Sequence, residues 1–286
     1  MRILLGSVRR YLSFSSRSFS ARSGDEVRLE QLKGDHEGIA YLTMHRPEAK
    51  NALSRNFVGQ LEKCLQDLRT KKEVRVLIMR STVPGVFCAG ADLKERRKMN
   101  ESDVEGFVER LRNAASAIED LPMPTIAALD GAALGGGLEM ALACDIRVAS
   151  KTAKLGLVET KLAVIPGAGG TQRLPRIVGP VIAKELILTA RVLNGAQAQE
   201  IGLVNHVADD GQTVENLALK IASEILPNGP VALRMAKLAI NKGMQVSLSD
   251  GLAFEKSYYA QIINTKDRIE GLSAFAEKRK PAYKGE

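Results

Sequence analysis

The chain has 286 residues, enough for one large domain or two smaller ones, and 45% of them are hydrophobic. It contains no Trp, and aromatic residues make up only 4%, which argues against a nucleic-acid reader that stacks bases on aromatic rings. The net charge is +8, but five arginines in residues 1–24 carry five of these charges and leave +3 for the rest. A mildly basic domain suits an anionic small ligand as readily as a nucleic acid.

Residues 1–24 have the composition of a mitochondrial targeting segment. They include five Arg and seven Ser and no acidic residue, and arginines interrupt the apolar positions. Such a segment is typical of a mitochondrial transit peptide, whereas a secretory signal needs a continuous apolar run. We therefore exclude residues 1–24 from the fold and expect a protein of the mitochondrial matrix. A disordered basic tail is the alternative. No later stretch predicts a membrane span.

Strands and helices alternate in the part of the chain that follows. The apolar runs predict strands at Val27–Leu32, Ile39–Met44, Val74–Met79, Thr125–Leu129 and Ile146–Ala149. Between them, Ser54 is expected to cap a helix that ends near Thr70, and Ser102 with Glu105 to form the capping box of a second helix. A loop is predicted at Pro84–Leu93 and a third helix at Gly137–Ala143. This alternation predicts an α/β protein with a largely parallel sheet.

The C-terminal part of the chain has a different pattern, because strand signals become sparse after Leu193. Helices are predicted at Val214–Ile225, Pro230–Lys242, Ser249–Ile262 and Lys266–Glu277. We divide the chain after the targeting segment into a core of residues 25–226 and a helical C-terminal region of residues 227–286.

Two glutamates follow glycine-rich or apolar runs where solubility does not explain a charge. Glu139 ends the run Gly135-Gly136-Gly137-Leu138, which follows a predicted strand and opens a helix, and Glu159 follows Leu155-Gly156-Leu157-Val158. Amides at the start of a helix are unpaired and attract anions, and glycines let a ligand approach the backbone closely. The pattern indicates two carboxylates beside an anion site. Close packing alone is the alternative explanation of the glycines.

Other sites have less support in the sequence. The glycine runs do not match the dinucleotide or nucleoside-triphosphate motifs, and no Gly-x-Ser-x-Gly elbow is present. The three His share no metal motif, so no metal site is expected. Cys64, Cys88 and Cys144 are an odd set that fits buried thiols in a reducing compartment.

With the segment Phe87-Cys88-Ala89-Gly90-Ala91-Asp92-Leu93, these motifs resemble the enoyl-CoA hydratase/isomerase (crotonase) family. The resemblance runs from about Asp25 to the end and includes Arg46-Pro47, Asn51-Ala52-Leu53 and Ile165–Arg173. It implies a crotonase-like spiral of ββα units with a helical C-terminal region for oligomerisation. It also implies homotrimers, often paired as homohexamers.

The family resemblance assigns roles to four residues. The amides of Ala91 and Gly136 would form an oxyanion hole for the carbonyl oxygen of an acyl-CoA thioester. Glu139 and Glu159 would hold a water molecule across the C2=C3 double bond, with Glu139 as base and Glu159 as acid. The resemblance gives the pair, and the division between acid and base stays open. Since isomerases can work with one glutamate, the presence of two favours hydration.

The resemblance also implies a site for CoA, which is part of the substrate, so no separate cofactor is expected. The carbonyl of Ala89 would meet the adenine, and three lysines are candidates for the phosphates. The CoA-binding set is Ala89, Gly90, Asp92, Lys50, Lys94, Phe275 and Lys278. For each lysine, an ordinary solvated surface position is the alternative.

The substrate and a rival function stay open at this stage. Similarity within the family favours a branched, carboxylated substrate of leucine breakdown, 3-methylglutaconyl-CoA, and a straight short-chain enoyl-CoA of β-oxidation is the enzymatic alternative. The alternative of another class is a non-enzymatic protein that binds AU-rich RNA through a basic first helix. That helix, residues 55–69, has Gly59 and Glu62 where such a relative would need a more uniformly basic face.

Overall fold

The computed structural model describes residues 17–18 and 24–286. The predicted targeting segment therefore lies almost wholly outside the described residues, apart from a two-residue strand. The strands in the described part are β1 (Arg17–Ser18), β2 (Val27–Gln31), β3 (Ile39–Met44), β4 (Val76–Ser81), β5 (Val86–Cys88), β6 (Thr125–Leu129), β7 (Ala132–Leu134), β8 (Ile146–Ala149), β9 (Leu155–Gly156) and β10 (His206–Val207).

Two sheets are built from these strands. The large sheet has the order β1-β2-β3-β4-β6-β8-β10, and it is parallel from β3 onward, while β1, β2 and β3 pair antiparallel. The small sheet has the order β5-β7-β9 and is parallel. The prediction of a largely parallel sheet is thus confirmed. The prediction of a continuous loop at Pro84–Leu93 was wrong, because Val86–Cys88 pairs with β7 and Leu93 begins a short helix.

The helices of the described residues lie around and beyond the sheets. They are α1 (Arg55–Leu68), α2 (Leu93–Arg96), α3 (Glu101–Glu119), α4 (Gly136–Leu142), α5 (Gly170–Val178), α6 (Pro180–Leu188), α7 (Gly195–Glu200), α8 (Val214–Ile225), α9 (Pro230–Gly243), α10 (Leu248–Ile263) and α11 (Lys266–Ala276). No helix in this part of the chain is long and apolar enough to cross a membrane.

Side chains cap the two long helices α1 and α3. The cap of α1 is the predicted residue, and the cap of α3 is a different one. The Ser54 hydroxyl accepts a hydrogen bond from the amide of Phe57 at the start of α1, which confirms that cap. The predicted capping box at Ser102 and Glu105 was wrong. Helix α3 begins earlier, and the Asn100 side chain accepts from the Asp103 amide at 2.8 Å. Asn is as good an N-cap as Ser, so the earlier residue could start the helix.

Both faces of the large sheet are buried, which explains the continuous apolar runs of its strands. Alternate residues of β3, β4 and β6, such as Leu42 and Leu77, pack with α1, α3 and α4 on one face. Their neighbours, such as Tyr41 and Ile78, pack with α8 on the other face. The small sheet and α4 belong to the first of these cores. The core therefore holds the strand ends that carry the glycine-rich loops in fixed positions.

Candidate functional site

The ends of β5 and β7 bring two glycine-containing loops together. Gly90 follows β5 and has a φ of +91°, and Gly135 follows β7 with a φ of +52°. A methyl group on Gly90 would lie 2.8 Å from the carbonyl oxygen of Leu134 and 3.5 Å from the amide nitrogen of Gly136. Both the conformation and the lack of space therefore require glycine at position 90. The close approach places the next residue, Ala91, beside the start of α4.

Two backbone amides at this junction are unpaired. Gly136 is the first residue of α4, where an amide has no acceptor within the helix. Within the described residues, neither the Gly136 amide nor the Ala91 amide donates a hydrogen bond, whereas the neighbouring Asp92 amide donates to the Leu53 carbonyl at 3.1 Å. The structure thus brings together the two amides that the sequence predicted as an oxyanion hole. Two such donors can stabilise negative charge on one oxygen.

Glu139 lies in the first turn of α4 and is buried, with 3% of its surface exposed. Its Oε1 accepts hydrogen bonds from the amides of Ala168, at 2.8 Å, and Gly170, at 2.7 Å. Burial raises the pKa of Glu139, while these two amides and the charges of Arg173 and Arg112 oppose the rise. One carboxylate oxygen is therefore fixed by the backbone. Its Oε2 accepts no hydrogen bond from the described residues.

Glu159 begins a short 3-10 turn, Glu159–Leu162, after strand β9. Both of its carboxyl oxygens are enclosed, and neither has a hydrogen-bond partner in the described part of the protein. Burial, and to a smaller extent the negative charge of Glu139, raise the pKa of Glu159 to about 7, although the amide of Glu159 itself opposes the rise. At neutral pH this side chain is therefore often protonated and can act as an acid.

The two glutamates face the same space. Oε1 of Glu159 would lie 3.2 Å from a methyl group on Gly135, and Oε2 of Glu139 would lie 3.9 Å from one on Gly136. The carboxyl groups thus line one short stretch of backbone beside the unpaired amides. A hydrogen bond of 2.9 Å from the Gly135 amide to the Gly156 carbonyl holds the two chain segments together. The arrangement combines two unpaired amides with two carboxyl groups whose pKa values are both raised by burial.

The predicted CoA-binding residues Ala89, Lys50 and Lys94 lie in or next to the loop that carries the Ala91 amide. The Ala89 amide donates to the Lys50 carbonyl at 3.1 Å, which places Lys50 against the loop. Ala89 is exposed, and its carbonyl accepts no hydrogen bond from the described residues. The side chains of Lys50 and Lys94 are exposed. These two positions are accessible to an anionic ligand.

Asp92 has a structural role in the same loop. Its carboxylate caps α2 by accepting from the amides of Lys94 and Glu95, each at 3.1 Å, and it pairs with Arg46 at 2.9 Å. Burial would raise the pKa of Asp92, but the Glu95 amide and Arg46 lower it. An ionised Asp92 therefore helps to fix the backbone that presents Ala91.

Phe275 lies in the last turn of α11, and Lys278 lies two residues after the end of that helix. The Phe275 side chain is 86% exposed, so it packs against little of its own chain. Lys278 is also exposed and has a φ of +54°. Within one chain, therefore, both residues lie on an open surface and not beside Glu139 and Glu159.

The sequence analysis named Asn51 and Arg46 as part of a motif but gave them no role. Asn51 is buried, and its amide group donates to the Ser81 hydroxyl and the Phe87 carbonyl while its oxygen accepts from the Arg46 amide. The Arg46 side chain donates to the Ala52 carbonyl at 2.7 Å. These bonds tie the loop before α1 to β5. Asn51 has a φ of +54°, a left-handed conformation that Asn adopts more readily than most residues.

The prediction of buried cysteines holds for two of the three, since Cys64 is only half-buried. Cys88 and Cys144 are buried, and burial raises the pKa of each thiol to about 12. The Cys88 thiol donates to the Asn51 carbonyl, so it is a packed residue of the loop and not a nucleophile. In the described part of the chain, no cluster of three or more His, Cys, Asp or Glu side chains could hold a metal ion.

The chain is similar to known proteins over most of its length. Residues 34–286 match the family model described as enoyl-CoA hydratase/isomerase. The chain is 57% identical over 272 residues to the mitochondrial methylglutaconyl-CoA hydratase of Mus musculus, with 94% of this chain and 87% of that protein covered. It is 53% identical over 263 residues to the mitochondrial enoyl-CoA hydratase domain-containing protein 2 of Mus musculus, with 91% and 89% covered. The chain belongs to the enoyl-CoA hydratase/isomerase family.

A solved structure of this family has the same fold. The crystal structure of an enoyl-CoA hydratase from Bacillus anthracis matches with a TM-score of 0.87 and 46% identity, covering 92% of this chain and 100% of that one. The expected crotonase-like α/β fold with a helical C-terminal region is therefore confirmed.

Proposed function

We propose that this protein is a hydro-lyase that adds water to the double bond of a 2-enoyl-CoA thioester. The observation that carries the proposal is the pairing of two enclosed carboxyl groups with different surroundings. Glu139 is held by two amides and Glu159 has no partner in the described residues. Beside them lie the unpaired amides of Ala91 and Gly136. Membership of the enoyl-CoA hydratase/isomerase family supports the same reaction class.

The two amides would act on the thioester oxygen. Water adds to C3 of an unsaturated thioester only if negative charge can move to the carbonyl oxygen. Hydrogen bonds from Ala91 and Gly136 would stabilise the resulting enolate, and the loss of one such donor typically costs about 2.7–4 kcal/mol in the activation free energy.

The two carboxyl groups would move the protons. The free oxygen of ionised Glu139 takes a proton from water as the water oxygen bonds to C3. Protonated Glu159 then gives its proton to C2, so that the elements of one water molecule are added across the double bond. The raised pKa of Glu159, about 7, favours this division of roles.

The experiment that tests the function is a pair of isosteric substitutions. Glu139→Gln or Glu159→Gln keeps the shape of the side chain but removes its proton transfer. Because a positioned acid or base contributes roughly 10²–10⁴-fold, we expect kcat for the hydration of crotonyl-CoA to fall at least about a hundredfold in either variant. The Kd of the CoA ester should change little. Near-normal turnover in a purified, folded variant would contradict the proposed function.

We propose 3-methylglutaconyl-CoA, an intermediate of leucine breakdown, as the substrate, with 3-hydroxy-3-methylglutaryl-CoA as the product. The name of the Mus musculus methylglutaconyl-CoA hydratase supports this acyl group. A substrate carboxylate favours a cationic partner, and Arg96, Arg97 and Lys98 at the end of α2 form no ion pair with the described residues.

A straight short-chain enoyl-CoA is the alternative substrate, supported by the less specific name of the second relative. Comparing kcat/KM for 3-methylglutaconyl-CoA and crotonyl-CoA decides between them. A tenfold preference for the branched ester, about 1.4 kcal/mol, would support our proposal, and a preference for crotonyl-CoA would favour the alternative.

We further propose that the enzyme works in mitochondria, with residues 1–24 as its transit peptide. Both Mus musculus relatives are named as mitochondrial proteins, and the arginines and serines of residues 1–24 fit such a segment. Residues 1–24 fused to a fluorescent protein should direct it to mitochondria. A diffuse cytosolic signal would contradict this part of the proposal.

A homotrimer or a homohexamer is the proposed assembly. The helices α9, α10 and α11 expose large apolar side chains, including Met244, Leu248, Tyr259, Leu272 and Phe275. Apolar surface of this kind is normally covered by another subunit. In that assembly Phe275 and Lys278 would reach the CoA site of a neighbouring subunit.

RNA binding is less well supported than catalysis. On the basic first helix, Arg55 pairs with Asp103 at 3.0 Å, and Glu62 pairs with Arg110 at 2.7 Å. Arg55, one of the cations of the first helix that would contact phosphates, is therefore paired within the protein. Salt-dependent binding of AU-rich RNA that is tighter than binding of random RNA would reverse this preference.

A further inference from the structure

The loop between Ile165 and Gly170 supplies both hydrogen bonds that fix Glu139. The amides of Ala168 and Gly170 meet on the same oxygen, Oε1. Three of the six residues of this loop are glycines, and glycine leaves the backbone more freedom than any other residue. The loop needs restraint from outside if it is to hold the carboxylate in one place.

Arg173 supplies this restraint from the first turn of α5. Its Nη1 donates to the Ala168 carbonyl at 3.1 Å. The Ala168 carbonyl lies between the two amides that bind Glu139, so a hydrogen bond there orients the peptide groups on either side.

Glu119 holds the guanidinium of Arg173 on its other side. Nε and Nη2 of Arg173 donate to Oε2 of Glu119, at 2.9 and 2.6 Å, and Nη2 also reaches the Ser116 hydroxyl at 3.4 Å. The Arg173 side chain is only 15% exposed. The planar guanidinium thus bridges the end of α3 and the loop in one fixed orientation, which the single ammonium group of a lysine could not do.

The neighbouring glycine leaves room for this contact. Gly169 has a φ of +108°, and a methyl group at that position would collide with Nη1 of Arg173. A second arginine, Arg112 of α3, also binds this loop, because its Nε donates to the Gly167 carbonyl at 3.2 Å. That carbonyl belongs to the same peptide group as the Ala168 amide. Arg112 therefore binds the peptide group that carries the Ala168 amide, and Arg173 binds the peptide group just before the one that carries the Gly170 amide.

We propose that Arg173, oriented by Glu119, is a positioning residue that holds the Ala168–Gly170 backbone against Glu139. This rests on the function proposed above, in which Glu139 is the base. Without the guanidinium, the loop would lose its restraint, and the free oxygen of Glu139 would no longer be aimed at the attacking water. The charge of Arg173, together with that of Arg112, also favours the ionised form of Glu139.

The test compares Arg173→Gln and Glu119→Gln with Arg176→Gln, a control on the same helix. Arg176 is exposed and bonds only to Gln172 among the described residues. Because a misplacement of about 1 Å can cost about 100-fold in rate, we expect kcat to fall about 10- to 100-fold in Arg173→Gln. The KM for the CoA ester should stay within about twofold, as the thioester amides are untouched. Glu119→Gln should show a smaller fall in kcat, and Arg176→Gln none.

The pH profile distinguishes a positioning role of Arg173 from a role in stability alone. Loss of the cation raises the pKa of Glu139, so the acid limb of kcat should move to higher pH in Arg173→Gln. Arg173→Lys keeps the positive charge but loses the planar guanidinium that makes several hydrogen bonds at once. The acid limb of its kcat profile should therefore stay close to that of the wild type, while kcat is about tenfold lower. Wild-type kcat in Arg173→Gln, or an unchanged acid limb with a loss that merely follows the folded fraction, would overturn the proposal.

Three further outcomes lead to different conclusions. If Arg173→Gln does not fold, Arg173→Lys decides: reduced kcat at unchanged KM supports the role, and wild-type kcat overturns it. If Glu139→Gln also retains full turnover, the proposed function itself fails. If Glu139→Gln is inactive and Arg173→Gln is normal, only the positioning role of Arg173 fails.

Discussion

The region around Glu139 and the C-terminal helices differ in how far their residues are buried within one chain. All seven residues of α4 are buried, and the groups that contact Glu139 come from elements of the same core. In α10, by contrast, none of the sixteen residues is buried. The surroundings of Glu139 are thus complete within one chain, whereas the C-terminal region leaves apolar side chains exposed in one chain. Changes in the first region should alter kcat, and changes in the second should alter assembly.

The largest fall in kcat is expected from Gly90→Ala, which changes the contact between the Gly90 loop and the start of α4. The added methyl group would press on the Leu134 carbonyl and displace the start of α4, where the Gly136 amide lies. Because an oxyanion donor contributes about 10²–10³ to kcat, we expect a fall of that size for crotonyl-CoA hydration, with the oligomeric state unchanged.

The control for this substitution is Gly211→Ala. Gly211 also has a positive φ, +84°, but a methyl group there would meet no atom within 4 Å. It reproduces the backbone strain without the collision. Equal losses of kcat in both variants would mean that strain alone, and not the oxyanion loop, explains the effect.

Substitutions in the C-terminal region should change kcat less than Gly90→Ala does, but they should change the mass of the assembly more. Leu248→Asp and Tyr259→Asp place a charge on an apolar surface of α10 that is exposed in one chain. Buried unpaired charge disfavours association, so light scattering should show smaller assemblies than for the wild type. Lys72→Asp, on an exposed loop of the core, is the matched control. A wild-type mass for both α10 variants would contradict our view of this surface.

The smallest expected effect is on thermal stability. The folded-state pKa of Glu159 is raised from 4.5 to about 7, so its stabilising contribution is present below pH 4.5 and is lost as the pH rises through 7. Glu159→Gln removes the ionisable group. We therefore expect its Tm to exceed that of the wild type at pH 8.5, by about 2–4 °C for each kcal/mol, and the difference to shrink towards pH 5. A Tm difference that is independent of pH would contradict the raised pKa.

The parts of the fold with strong local patterns were predictable. The strands Ile39–Met44, Thr125–Leu129 and Ile146–Ala149 and the helix Val214–Ile225 have the bounds predicted from apolar runs and helical spacing. The short strand β5 was missed because three residues have no periodicity of their own. The helices α5, α6 and α7 were not predicted, although Gly179-Pro180 marks the boundary between the first two.

The candidate site was predictable as a set of residues but not as a geometry. The glycine run before Glu139 indicated an anion site, and the family resemblance supplied Ala91, Gly136 and Glu159. The sequence analysis gave Asp92 to CoA, while the structure shows its carboxylate capping α2 and pairing with Arg46. Arg173 lay inside a motif and received no role, because nothing in its neighbourhood shows that Glu119, 54 residues away, would hold it.

The amino-acid sequence by itself determined the local conformations of this protein. It placed glycines at positive φ, a capping serine before α1, and apolar runs in the central strands, because these depend on near neighbours and on hydrophobic periodicity. The tertiary structure decided which carboxyl group is held by amides and which has no partner. It also decided that Glu159 lies close enough to Glu139 for the charge of one to raise the pKa of the other. Burial and hydrogen bonds between distant segments set these properties, and both come into existence only when the core packs.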